Sequence, residues 1–320
     1  MTITNSRLSK EDIIAVNSWR NIADETWESG DLPKAKLIYV IPERLADFVK
    51  LVISEKCKTR YVVISAESDY GLVSQKEHPI NADMTPWLKL VISQRDGDYL
   101  RDGNYEALSF PPRCIPESCR FSDTYSLKCA MFTHSTFPYI PSNLLILTTN
   151  TDLEHSQVVK IPFGIRPSTV DQMIELHDEF FDNEKQNKLY VNFTSYTLDR
   201  HSLMLSYMHR VANLRENFIV VERDLEWSEY IKHMALCRYI LSPSGNGIDC
   251  YRNLEAHYIG SAPVMLAGTA SSLIKIPHFE LPTLHNLGQN SLVGFEKINI
   301  SNWARLSKWK EAIYDLRRDY

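Results

Sequence analysis

Short apolar, β-branched runs alternate with segments whose apolar residues recur at helical spacing, and this alternation limits the possible folds more than any other feature. The strand-like runs lie at 36–41, 60–65, 144–147, 158–165, 189–193, 218–221, 239–242 and 262–266. Strands that alternate with helices pair in parallel, because each crossover returns the chain to the same edge of the sheet. The sequence therefore predicts an α/β fold with parallel sheets and helices packed against them.

The length of the chain divides this alternation into two domains. Its 320 residues exceed the size at which one hydrophobic core usually keeps growing. Residues 166–187 read as an acidic amphipathic helix followed by a polar stretch, which is typical of an interdomain connection. We therefore expect an N-terminal domain over 1–170, a C-terminal domain over 185–300, and a terminal helix over 301–320 that can pack on either domain.

Composition and charge exclude several classes of protein. With 44% hydrophobic and 23% charged residues, the chain is neither collagenous, nor of low complexity, nor wholly disordered. Its formal net charge of -5 gives no general attraction to nucleic acid or anionic membranes. Nucleic acid is therefore disfavoured as a partner, but the sequence does not exclude it. The sequence has neither an N-terminal export signal nor an apolar run of about 18 residues, so we expect a soluble, cytoplasmic chain without a transmembrane segment.

Residues 93–143 carry most of the irregular sequence in the N-terminal half. Loops of this length in compact domains usually serve binding, so this insertion is the first candidate for acceptor recognition. Its three cysteines and His134 formally supply four zinc ligands. Neither cysteine gap is the tight two-residue spacing of zinc knuckles, and we therefore expect ordinary free thiols and no metal site.

The most informative stretch is 239–266. A strand-like run ends at Ser242, a turn containing Gly245, Asn246 and Gly247 follows, and Asp249 stands where the N-cap of the next helix is expected. A strand, a tight turn and a helix start present free backbone N–H groups to an anion at the carboxyl edge of a parallel sheet. The pattern therefore predicts a phosphate-binding turn, although two glycines alone would indicate only a turn.

Arg252 and Glu255 follow on the same face of that predicted helix. The guanidinium can bind phosphate oxygens in a bidentate manner, and the carboxylate can accept hydrogen bonds from the two hydroxyls of a ribose. The alternative is an ordinary surface pair contributing a few tenths of a kcal/mol. Since neither the Walker motif nor G-x-G-x-x-G is present, a kinase, NTPase or dehydrogenase is disfavoured, and we expect a nucleotide diphosphate site of another kind.

This stretch resembles the nucleotide-sugar-binding signature of the exostosin-like glycosyltransferases, and in particular their small soluble viral or bacterial members. The matching residues are Ser242, Pro243, Gly245, Arg252, Glu255, Ala256, Gly260, Pro263 and Val264. Segments 148–165 and 188–200 are similar to the end of the N-terminal domain and the start of the donor domain in such relatives. The resemblance implies the GT-B architecture, in which two Rossmann-like domains enclose a cleft.

The resemblance further implies a UDP- or GDP-sugar as co-substrate, with Arg252 on the diphosphate and Glu255 on the ribose. Thr194 and Arg200 follow the 189–193 strand and join the donor-binding candidates. Family members usually carry arginine where this chain has Ser244, so we expect some phosphate contacts to fall to Arg200 or to the loop around Asn246. The implied reaction transfers the sugar to an acceptor hydroxyl, on a glycan or another molecule, with inversion and without a metal.

Transfer also needs a base for the acceptor hydroxyl. Glu67 and Asp69 lie in the loop after the second strand-like run, where an N-terminal domain would face the cleft, and they are the candidate catalytic residues. Two other functions stay open at this point. The chain can be a non-catalytic relative that binds nucleotides or glycans, or a transferase that glycosylates modified DNA bases.

Overall fold

A computed structural model describes residues 8–67, 140–151, 155–192, 219–221, 225–243, 249–266, 278–281 and 302–319. Residues 93–139 of the predicted insertion, together with its cysteines and His134, lie outside the described residues. No helix within the described ranges is long and apolar enough to cross a membrane.

The first half builds a parallel five-stranded sheet whose strands lie side by side in chain order. They are β1 (Glu25–Trp27), β2 (Leu37–Val40), β3 (Tyr61–Ser65), β4 (Leu144–Thr148) and β5 (Val158–Lys160). Helix α1 (Pro42–Ser54) connects β2 to β3. The carboxyl ends of β3 and β4 are adjacent, with Ser65 opposite Thr148.

Both faces of this sheet are covered, which explains why its strands read as continuous apolar runs. Successive side chains of a strand point to opposite faces. Ile38 and Val40 accordingly pack with Phe48 of α1, whereas Leu37 and Tyr39 belong to a second cluster on the other face.

The second half builds another five-stranded parallel sheet. Its strands do not lie in chain order, because the first two exchange places. Its strands are β6 (Gln186–Val191), β7 (Ile219–Val221), β8 (Cys237–Leu241), β9 (Ala262–Leu266) and β10 (Phe279–Leu281). They lie in the order β7-β6-β8-β9-β10, which is one of the two common orders of doubly wound α/β folds. Helices α2 (Val170–Phe180), α3 (Trp227–Ala235) and α4 (Tyr251–Tyr258) accompany them.

The terminal helix α5 (Leu306–Asp319) packs against the N-terminal segment of the first half. The rings of Trp309 and Trp19 meet edge to face with centroids 5.8 Å apart. Arg305 Nη1 lies 2.6 Å from Asp12 Oδ2 just before the helix begins. These contacts hold the start of the terminal helix against the N-terminal segment.

One hydrophobic cluster runs through both halves of the chain. It contains Tyr39 from the first sheet, Tyr190 and Ile240 from the second, and Ile313 from α5. At the junction, the Tyr258 hydroxyl accepts a hydrogen bond from Ile14 N at 3.0 Å and donates one to Ala304 O at 2.9 Å. The prediction of an α/β fold with parallel sheets is therefore confirmed, and the fold is compatible with Rossmann-like domains. The GT-B arrangement with its cleft stays a prediction.

Candidate functional site

The reversal of strand order places a topological switch point between β6 and β8. In doubly wound sheets, ligands bind outside the carboxyl ends of the strands at such a point. Asn192 follows β6 and Ser242 follows β8 at this edge, and α4 begins nine residues further along the chain from Ser242. A ligand bound at this edge would therefore lie close to the first turn of α4.

Arg252 connects the two strand ends of the switch point. The residue lies in the first turn of α4, is partly exposed, and donates from Nη2 to the carbonyl oxygen of Asn192 at 2.7 Å. This bond fixes the guanidinium at the carboxyl end of β6, while its own helix follows β8. Arg252 is thus a cation held at the edge of the sheet where an anionic ligand is expected.

Glu255 lies one turn further into α4 and is almost completely buried, with 3% of its surface exposed. Its Oε1 accepts a hydrogen bond from Trp227 Nε1 at 2.9 Å, and its Oε2 accepts one from the Tyr230 hydroxyl at 3.3 Å. Burial raises the pKa of the Glu255 carboxyl, and the Trp227 hydrogen bond and the charge of Arg252 oppose that rise. Both carboxylate oxygens are therefore engaged within the protein before any ligand arrives.

Tyr230 links the two charged residues of α4. It donates to Glu255 and shares a side-chain hydrogen bond with Arg252. Burial raises the pKa of its phenol well above the ordinary value, so the hydroxyl stays neutral. Sequence reasoning missed Trp227 and Tyr230, although their spacing of three residues places both on one face of α3.

Asp249 joins the two halves of the chain instead of capping the helix. The N-cap is Cys250, so the prediction that Asp249 occupies this position is wrong by one residue. Asp249 Oδ2 accepts a hydrogen bond from Phe163 N at 3.0 Å, and Asp249 N donates to Asn150 Oδ1 at 2.7 Å. Its Oδ1 accepts from Cys250 N and from the Asn253 side chain, both at 2.8 Å.

This environment changes the titration of Asp249. Burial raises the pKa of its carboxyl, and the hydrogen bonds from the Asn253 side chain and from the backbone of Phe163 and Cys250 oppose the rise. Its partner Asn150 adopts a left-handed conformation with φ 51, which asparagine tolerates better than most residues. Asp249 therefore orients the start of α4 against two segments of the first half.

Ser242 is buried and links the end of β8 to α4 by a hydrogen bond. Its hydroxyl donates to Asn253 Oδ1 at 2.7 Å, and its backbone N–H donates to Val264 O at 2.8 Å. The structure thus brings Ser242, Asp249, Arg252 and Glu255 together around one helix. The other donor-binding candidates lie outside the described residues, namely Thr194, Arg200, Gly245, Asn246 and Gly247.

Of the two candidate bases, the structure describes Glu67, whereas Asp69 lies outside the described residues. Glu67 follows β3 at the carboxyl edge of the first sheet and has φ 73, a left-handed conformation that is unusual for a residue other than glycine. Its Oε1 lies 4.0 Å from Arg20 Nε, with 25% of the side chain exposed. Strained backbone of this kind concentrates at functional sites, which keeps Glu67 a candidate.

Comparison with models of known protein families gives no match, and comparison with curated proteins gives none either. In the part of the chain that the structure describes, no group of three or more His, Cys, Asp or Glu side chains is arranged to hold a metal ion. What bears on function is therefore the geometry of the switch point and its surroundings.

Proposed function

We propose that the protein is a glycosyltransferase that moves a sugar from a UDP- or GDP-sugar to an acceptor hydroxyl, with inversion at the sugar. The observation that carries the proposal is the position of Arg252, which is bonded to the carbonyl of Asn192 across the switch point of a doubly wound sheet. This edge is where such sheets bind nucleotides, and an arginine there matches the charge and geometry of a diphosphate.

In the proposed reaction, the acceptor oxygen forms a bond to the anomeric carbon while the bond from that carbon to the diphosphate oxygen breaks. Negative charge grows on the departing diphosphate, and Arg252 together with the N-terminus of α4 stabilises it. A preorganised group of this kind typically contributes about 10²–10³-fold to kcat, and the proposed reaction uses these groups instead of a metal, as the resemblance implies.

The acceptor hydroxyl loses its proton to a carboxylate of the first half, and we assign this role to Glu67 or Asp69. The described candidate, Glu67, is fixed in a left-handed conformation at the carboxyl edge of the first sheet. The preceding carbonyl, that of Ala66, accepts a hydrogen bond from the Tyr39 hydroxyl at 2.9 Å. This bond anchors the backbone on which the carboxylate is presented.

Glu255 has a different part in this proposal from the one that the resemblance implies. A ribose would have to share a carboxylate of which 3% is exposed and whose two oxygens already accept hydrogen bonds. A carboxylate offers about four acceptor positions, so a further bond is chemically allowed. The ribose contact stays a prediction, and the observed contacts of Glu255 orient Tyr230 beside Arg252.

The test is a screen of nucleotide sugars for thermal stabilisation, followed by a transfer assay with the best donor in radiolabelled form. A ligand that binds only the folded state raises the unfolding temperature. We expect stabilisation by one class of UDP- or GDP-sugar and transfer of its label to an added glycan.

Two variants sharpen the transfer assay. Glu67→Gln removes the proposed base while keeping the size of the side chain, and Glu28→Gln removes an exposed carboxylate just beyond β1 as a control. If Glu67 is the base, only the first variant loses transfer, by about 10²-fold or more. Donor binding without transfer to any acceptor tested would favour the non-catalytic alternative, and no stabilisation by any nucleotide sugar would refute the proposal.

A further inference from the structure

Arg166 projects from the first half of the chain onto the first turn of α4. The carbon at the centre of its guanidinium lies 5.4 Å from the centroid of the Tyr251 ring. Tyr251 is the first residue of α4 and directly precedes Arg252. The side chain of Arg166 is exposed, so its guanidinium remains open to a ligand at this helix start.

The backbone around Arg166 is held firmly in place. Ile165 N donates to Ile14 O at 2.8 Å, and Val16 N donates to Ile165 O at 2.9 Å. On the other side, the Thr169 hydroxyl donates to the carbonyl of Arg166 at 2.9 Å. These bonds fix the position of the backbone from which the guanidinium extends.

The Tyr251 ring on which Arg166 rests is itself fixed. It stacks on the ring of Phe163, with centroids 5.1 Å apart and planes inclined by 20°. The N–H of Phe163 in turn donates to Asp249 Oδ2. Arg166 and Phe163 of the first half thus both contact the Tyr251 ring of the second half.

Among the residues that the structure describes, no carboxylate forms an ion pair with Arg166. Within the described ranges, no Asp or Glu oxygen lies within 4.0 Å of its guanidinium nitrogens. Its charge nevertheless reaches Glu255, where it opposes the rise of the carboxyl pKa after the larger effects of Trp227 and Arg252. Two arginines, one from each half, therefore add positive charge around the first turn of α4.

We propose that Arg166 is a second donor-binding residue, contributed by the first half, and that it binds phosphoryl oxygens of the diphosphate held by Arg252. This inference rests on the proposed function, because it assumes that a nucleotide diphosphate binds at the switch point. Paired guanidinium groups suit an anion of charge about −2 to −3, and each can bind it in a bidentate manner. The diphosphate of the donor is then bound by one arginine from each half of the chain.

The test compares the affinity for a nucleoside diphosphate with the affinity for its nucleoside. Dissociation constants of UDP and uridine, and of GDP and guanosine, are measured by calorimetry for the wild type, Arg166→Met and Arg166→Lys. Arg60→Met serves as control, because Arg60 is also exposed and precedes β3 at the opposite edge of the first sheet.

If Arg166 binds phosphate, Arg166→Met weakens diphosphate binding about tenfold or more and leaves nucleoside binding unchanged. Arg166→Lys retains a point charge and falls between Arg166→Met and the wild type. The Arg60→Met control binds both ligands as the wild type does. Thermal unfolding without ligand shows that the variants are folded, and the lysine variant carries the test if the methionine variant is not.

Two results would overturn the inference while leaving the proposed function intact. One is diphosphate affinity in the Arg166 variants equal to that of the wild type. The other is an equal loss for diphosphate and nucleoside, which would show that Arg166 only supports the packing of Tyr251. Failure of the wild type to bind any of the four ligands is a different result, because it would contradict the proposed function itself.

Discussion

Replacing Gly164 with alanine tests how closely the segment before Arg166 is packed against the N-terminal segment. Gly164 has φ 106, a conformation that residues with a side chain rarely adopt. A Cβ added there would meet three backbone atoms, with Ala15 C at 2.7 Å, Val16 N at 2.8 Å and Ile14 O at 3.0 Å. Because these are backbone atoms, they cannot rotate away as a flexible side chain can.

Gly30 is a matched control for this substitution. Its φ of 93 imposes a similar conformational strain, but no atom lies within 4 Å of a Cβ added there. Gly30→Ala therefore carries the backbone strain alone, about 1–3 kcal/mol. Gly164→Ala carries that strain and must also displace the 14–16 backbone. Overpacking of this kind lowers the free energy of unfolding by about another 1–3 kcal/mol.

Urea unfolding followed by circular dichroism measures the free energy of unfolding of both variants. We expect Gly164→Ala to be the less stable variant by at least about 1 kcal/mol. The same variant should also bind UDP or GDP more weakly, since Phe163 and Arg166 flank the substituted position and Ile165. Equal losses of stability in the two variants would show that 163–165 is not packed against 14–16 as described.

Two further predictions concern buried groups of α4. Burial and then the charge of Arg305 lower the pKa of His257 to about 3, so between pH 6.5 and 3 the unfolded state binds a proton that the folded state does not. The stability contributed by neutral His257 is fully present above pH 6.5. As the pH falls from 6.5 to 3, the free energy of unfolding decreases by about 1.4 kcal/mol per pH unit, and by up to about 5 kcal/mol in all. Urea unfolding of wild type and His257→Gln should show this slope in their difference, and a difference independent of pH would contradict it. Separately, Glu255→Ala leaves the donors of Trp227 and Tyr230 without their acceptor and should cost about 2–6 kcal/mol, whereas Glu255→Gln keeps an acceptor and should cost clearly less in the same assay.

The class of fold follows from local sequence pattern. Apolar runs such as 60–65 lie at the centre of a sheet covered on both faces, and this is why they lack the alternation of a half-exposed strand. The order of the strands does not follow from the pattern, because it depends on contacts between residues far apart in the chain. The switch point between β6 and β8 is therefore visible only in the structure.

The same distinction applies to the candidate site. The prediction that Arg252 is a site residue rests on its place after a strand and a turn, which are local features. Local pattern does not predict where the Asp249 carboxylate lies, because it accepts a hydrogen bond from Phe163, a residue 86 positions away in sequence. The contact of Trp227 is likewise not predictable from local sequence, because nothing adjacent to it indicates that its indole N–H donates to Glu255.

The central claim is that a nucleotide diphosphate binds at the switch point through Arg252. Calorimetric titration of UDP and GDP into wild type, Arg252→Met and Arg238→Met tests it most directly. Arg238 is a suitable control, because it is also partly exposed but lies near the amino end of β8. We predict that the wild type binds one of the two nucleotides, that Arg252→Met weakens this binding at least about tenfold, and that Arg238→Met leaves it unchanged. Equal affinity in wild type and Arg252→Met, with both folded, would contradict the claim.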